Sequence, residues 1–217
     1  MEEELLTNDN TTLLPTTSFD GPALSFDFPA FHVGVAEYEE GPTGCTVFYF
    51  PQGAAAAVDI RGGECGTIQT QHLAAGDGRI DAICFTGGSE YGFGAVAGVS
   101  DELFRMRGYS TAPWDLVQVP GAVIYDFPLR DNAICPDNAL GRAALRNARP
   151  SMARAIQPFH TIYDGDVFFT ATTEEVNDPG LSEIALGVLA SELAWDAVLS
   201  CLTSSESPDD QNPRRPG

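Results

Sequence analysis

The sequence predicts a mixed α/β domain, and three observations carry that reading. Short runs rich in β-branched and aromatic residues alternate with turn residues over the first third of the chain. Apolar residues then recur at helical spacing over residues 93–106 (Val96, Val99, Leu103, Met106). The composition, 43% apolar over 217 residues, is enough to bury a sizeable core.

The elements follow in order. Residues 30–36, 44–50 and 54–60 read as three strands of a meander, separated by Gly-Pro and by Pro51-Gln52-Gly53. A fourth strand, 79–85, enters a glycine-rich turn, Thr86-Gly87-Gly88-Ser89-Glu90-Tyr91-Gly92, which opens the 93–106 helix. Strands are expected near 116–119 and 122–127. A short helix over 136–148 has proline in its first turn and ends at Pro150, and Ser151 caps a further amphipathic piece over 152–156. Residues 166–173 form a strand, and 181–202 a long helix whose Leu186, Leu189, Leu193 and Val198 suggest burial on nearly all sides. Residues 1–25 and 203–217 are polar and aperiodic and read as flexible tails, leaving 26–202 as a single domain.

Charge and composition narrow the chemistry. Asp and Glu number 31 against 11 cations, all of them arginine, for a formal charge of -20. A chain without lysine has no Walker P-loop, Schiff base or activating ammonium, and a surface this acidic repels nucleic-acid phosphates. The N-terminus lacks the positive start of a signal peptide and no apolar run reaches membrane-spanning length, so a cytoplasmic location without membrane association is expected. Cys45, Cys65, Cys84, Cys135 and Cys201 are odd in number and unpatterned, which favours buried free thiols. His32, His72 and His160 stand apart from one another and from the cysteines, so neither a metal nor a cofactor is expected.

Two stretches invite functional readings. The glycine-rich turn at 86–92 offers backbone amides at a helix start, suited either to an anion nest or simply to tight packing of helix on sheet, with packing the better account. It is not a nucleophile elbow, because the glycine that Gly-x-Ser-x-Gly requires after Ser89 is missing: Glu90 and then Tyr91 stand there. A Ser89, His160 and Asp164 triad assembles only on paper. Asp164-Gly165-Asp166 sets two carboxylates around a glycine at the mouth of a strand; side by side, one would titrate high, while a solvated turn is the plainer reading.

Larger blocks are recognisable. Phe26-Asp27-Phe28-Pro29, residues 39–47 (EEGPTGCTV), Ala57-Val58-Asp59-Ile60-Arg61-Gly62-Gly63, Ala122-Val123-Ile124-Tyr125-Asp126-Phe127, Leu140-Gly141-Arg142-Ala143-Ala144-Leu145, residues 151–161, Asp164-Gly165-Asp166 and residues 185–192 occur in one order. In that order they resemble the nylon-oligomer hydrolases, a family that includes the L-aminopeptidase/D-amidase/esterases. The resemblance implies an N-terminal-nucleophile hydrolase that cuts its own backbone before Thr or Ser and uses the freed residue to attack amides. It implies a four-layer αββα sandwich, homo-oligomeric assembly, and small amide or peptide substrates. It further implies site residues at Tyr125 in the I-Y-D-F strand and at Asp164 and Asp166.

The departure from that pattern is large. Family members carry a long segment with the lysine, the asparagine and the Asn-Thr junction between the helix and the piece matching Ser151-Met152; here Pro150 joins Ser151 directly. An incomplete sandwich and impaired or absent catalysis are therefore expected, the alternative being a non-catalytic binding or assembly subunit beside a full-length homologue. Asn10-Thr11-Thr12 repeats the letters of the processing junction, but leads into Leu13-Leu14-Pro15 rather than an apolar strand, and is expected to stay uncut.

Overall fold

The structure, a computed structural model, describes residues 4–19, 29–60, 65–74, 78–149 and 167–173, together with 175, 180, 182, 186, 189, 190 and 193. By contacts the chain divides into two compact units, Met1–Glu174 and Glu175–Gly217.

The first unit is built on β1 (His32–Tyr38), β2 (Thr43–Ile60), β3 (Thr67–Ile68), α1 (Gln71–Ala74), β4 (Gly78–Thr86), α2 (Phe93–Met106), β5 (Gly121–Val123), α3 (Asn138–Arg146) and β6 (Val167–Thr172). The strands form one sheet in the order β1-β2-β4-β5-β3, with β6 paired to β2. Among the described strands only β4 and β5 run parallel, and α2 lies in the crossover that such a pair requires.

The two strands expected over 44–50 and 54–60 are one 18-residue strand. Pro51-Gln52-Gly53 does not turn the chain back. Its register against β4 shifts between Tyr49 and Ala54, with Gly53 at φ +72°, so the extra residues are absorbed as a bulge and the strand continues. The first half then pairs with β1 and the second half with β6. No strand forms at 116–119, where Val119 is nonetheless fully buried, and the run expected over 122–127 pairs only as far as Val123.

Each face of the sheet has its own apolar cluster. On the face carrying α2 and α3, Tyr38, Val47 and Cys84 pack with Val96, Val99, Leu103, Leu140 and Ala144. On the other, Phe50, Ala54, Ile80 and Ile83 pack with Phe31, Phe48, Phe85 and Phe169, whose rings run in edge and tilted contacts 5.5–6.4 Å apart. A helical layer and a sheet, two of the four layers of the expected sandwich, are thus present among the described residues.

The helices are joined through charge. Glu102 on α2 is fully buried, and its carboxylate accepts from Arg105 at 2.6 Å and from Arg146 on α3 at 2.8 Å. Arg142 adds a longer pair at 3.3 Å. Asp137 caps α3 by accepting from the Leu140 amide at 3.0 Å, so Pro136 stands just before the cap rather than in the first turn.

Residues 4–19, read from the sequence as tail, lie on the first unit. Asn8 exchanges two hydrogen bonds with the Cys135 backbone at 2.9 and 2.8 Å, Ala133 donates to the Leu6 carbonyl at 2.8 Å, and Thr16 bridges Glu37. An asparagine side chain supplies one donor and one acceptor together, so it fastens a segment whose apolar content gives no such hint.

Of the second unit, Leu186, Leu189, Ala190 and Leu193 are helical, as expected for 181–202. Their burial is not as expected: Leu186, Leu189 and Leu193 are exposed, the last to 67%. The amphipathic piece at 152–156, Asp164, Asp166, His160, Val198 and the tail at 203–217 lie outside the described residues.

Candidate functional site

Strand β4 ends at Thr86, and the glycine-rich turn then brings the chain against the I-Y-D-F stretch that leaves β5. The Gly87 amide donates to the Gly44 carbonyl at 3.0 Å, the Gly88 amide to Asp126 Oδ1 at 2.9 Å and the Ser89 amide to the Ile124 carbonyl at 3.0 Å. These three amides are therefore engaged within the protein, which favours the packing reading of the turn. Gly88 has φ +84°, and a Cβ there would stand 2.8 Å from Pro136 Cδ. Only glycine meets both demands.

Ser89 is not placed as a nucleophile. It is 4% exposed, and its Oγ accepts from the amides of Asp126 and Phe127 at 3.2 and 3.3 Å. Neither Cys45 nor Cys135 offers a substitute. Cys45 is pushed well above the ordinary thiol range by its hydrogen bond with Cys84 and by burial, and burial likewise raises Cys135. No group of three or more metal-ligating side chains occurs among the described residues.

Tyr125 is half exposed at 48%, and among the described residues its hydroxyl has no hydrogen-bond partner. It sits between residues whose side chains are committed elsewhere. Asp126 is 3.6 Å from Arg130 Nη1, and Arg130, with a side chain only 8% exposed, donates to the Gly41 carbonyl and to Asn132 Oδ1 at 3.0 and 2.8 Å. The same guanidinium lies 5.3 Å from the centre of the Phe127 ring, and Tyr91 packs on that ring from 5.6 Å. Thr43 Oγ1, Arg130 Nε and Glu40 Oε2 are buried there without hydrogen-bond partners among the described residues.

Of the three expected site residues, Tyr125 is half exposed, while Asp164 and Asp166 lie outside the described residues. Of the side chains that organise this corner, Ser89 is visible in the sequence only as a failed nucleophile candidate, and nothing there marks Asp126 or Arg130. Asp126 is next to Tyr125 in the chain, but nothing in a one-dimensional pattern ties it to Gly88, 38 residues earlier.

The phenol can donate or accept a hydrogen bond toward a ligand, and the turn behind it is charge-balanced by Asp126 and Arg130. Among the described residues, no helix is long and apolar enough to cross a membrane.

No family model matches the chain. Individual proteins do. The chain is 48% identical over 143 residues to a 6-aminohexanoate-oligomer endohydrolase of Paenarthrobacter ureafaciens, a match covering 66% of this chain and 39% of that protein. It is 49% identical over 138 residues to a protein of the same name from a Kocuria species, covering 64% and 37%. An uncharacterized aminopeptidase of Mycobacterium tuberculosis is 40% identical over 89 residues, covering 40% and 26%. Among solved structures, a β-aminopeptidase of a Burkholderia species matches at 19% identity and a TM-score of 0.43, over 61% of this chain and 42% of that one. The chain thus spans about two fifths of the length of the endohydrolases it matches.

Proposed function

Since the chain belongs to the family of the nylon-oligomer hydrolases and their aminopeptidase relatives, we propose that it is an amide-hydrolase scaffold whose own catalysis is impaired. The observation that carries this reading is the pairing of a retained, exposed Tyr125 with a sequence that holds no lysine and joins Pro150 directly to Ser151. In this reading Tyr125, Asp164 and Asp166 are the remnant of the site. Such groups can orient or polarise an amide, but the sequence has no match to the family segment that would bring the activated nucleophile. A phenol and two carboxylates retain some capacity to bind a small amide or peptide, with the preorganised charge stabilisation of a full site much reduced.

The experiment restores what is absent. Inserting between Pro150 and Ser151 the segment that the Paenarthrobacter endohydrolase carries at the corresponding place should yield a chain that hydrolyses 6-aminohexanoate oligomers, and Tyr125→Phe in that chimera should abolish the gain. A well-folded chimera without turnover would count against the scaffold reading.

A second reading, a binding or assembly subunit beside a full-length homologue or a further copy, is favoured by large side chains left in solvent, Trp114 at 84% and Leu129 at 76%. Sizing the chain alone and mixed with the endohydrolase tests it: an unshifted elution in both cases removes this reading.

A further inference from the structure

We propose that Ser89 is the positioning residue of Tyr125, a proposal that rests on the reading of Tyr125 as a site residue. One residue holds the chain on both sides of the tyrosine. The Ser89 amide donates to the Ile124 carbonyl at 3.0 Å, and Ser89 Oγ accepts from the Asp126 and Phe127 amides at 3.2 and 3.3 Å. Positions 124, 126 and 127 are thereby fixed, and position 125 alone projects from the clamp with its ring half in solvent.

Neighbouring contacts stiffen the same stretch. The Ile124 amide donates to the Thr86 carbonyl at 2.8 Å, the Gly88 amide reaches Asp126 Oδ1, and the Phe127 ring is held by Tyr91 and by the Arg130 guanidinium. The residue type argues for function of the hydroxyl. Ser89 has φ +49°, a region where glycine would sit without strain. Glycine would keep the backbone N–H that donates to the Ile124 carbonyl and lose the acceptor for the two amides after the tyrosine. A phenol whose backbone is held from both sides presents its oxygen in one direction, as a preorganised ligand contact requires.

The test reads the clamp without needing turnover. In the full chain, Ser89→Ala removes the acceptor and keeps the strain, while Ser89→Gly removes both. In each variant, hydrogen exchange at the Asp126 and Phe127 amides should quicken about tenfold, the loss expected for one net hydrogen bond. The ring signal of Tyr125 in carbon-13-tyrosine spectra, identified with Tyr125→Phe, should shift or broaden. Amides of α3 should exchange as before. A hydroxyl that merely stabilised the unit would raise exchange in α3 as well and leave the Tyr125 signal in place; that pattern, or unchanged exchange at residues 126 and 127, overturns the proposal. Should the alanine variant fail to fold, the glycine variant, relieved of strain, carries the comparison. Should neither fold, the unaltered chain decides: unprotected Asp126 and Phe127 amides overturn the clamp, and protected ones support it. Failure of this test leaves the chimera result untouched, and a silent chimera leaves the clamp standing.

Discussion

The Tyr38 hydroxyl donates to Asp137 Oδ1 at 2.7 Å, and the same oxygen accepts the Leu140 amide that begins α3. Sheet and helix therefore share one carboxylate oxygen in an environment where Tyr38 is fully buried. Tyr38→Phe should lower stability by about 2 kcal/mol, the worth of a buried bond to a charged group, with the fold kept, as read by urea denaturation. Burial first, and then the Asp137 bond, raise the phenol far above its ordinary value of 10. Its contribution is thus complete below pH 10 and lost as the pH rises above it, so the gap between parent and variant should narrow in strong alkali.

Glu102 gives the opposite sign. Hydrogen bonds from Arg146 and then Arg105 outweigh burial and bring its carboxyl down to about 2. The stabilisation is present above the ordinary value of 4.5 and drains away as the pH falls from there toward 2. Glu102→Gln should cost about 2 to 3 kcal/mol at neutral pH, below the full price of breaking a buried pair because Arg105 and Arg146 are about half exposed. Thermal melts of both proteins between pH 2 and 6 should converge at the acid end.

The α2–α3 contact is close enough to exclude a methyl group. A Cβ at position 141 would lie 1.9 Å from the Ala95 carbonyl oxygen. Gly141→Ala should therefore destabilise by about 1 to 3 kcal/mol through overpacking, although alanine is the better helix former by about 1 kcal/mol. Melting temperature decides between the two effects.

How much of this was legible beforehand depended on whether a feature is local. The α2 boundaries, Phe93–Met106, are those the apolar spacing predicts, because periodicity and a glycine turn lie within one window. The β2 bulge looks like a break in the sequence, since Pro51 and Gly53 punctuate turns and bulges alike and only pairing with β4 and β6 distinguishes them. The docked Asn8, the Ser89 clamp and the Asp126–Arg130 pair join residues distant in sequence or use ordinary polar letters, and no pattern in a single chain marks them. Tyr125 came from resemblance alone; its exposure came from the structure.

The Asn10-Thr11 bond is held in a local turn rather than a loose tail. The Thr11 amide donates to the Thr7 carbonyl at 3.1 Å, and Asn10 Oδ1 accepts from the Thr7 amide at 2.7 Å. With the Asn10 side chain committed in this way and exposed to water, no strained junction is prepared for an acyl shift. Intact-mass measurement after prolonged incubation without protease should give the full-length mass; spontaneous loss of residues 1–10 would refute this.

The central claim, a family scaffold without effective catalysis, is tested most directly by incubating the purified 217-residue chain with 6-aminohexanoate oligomers and aminoacyl p-nitroanilides, beside the Paenarthrobacter endohydrolase. The account predicts product formation no faster than in buffer. Sustained turnover by the chain itself, retained through purification and lost in Tyr125→Phe, would contradict it.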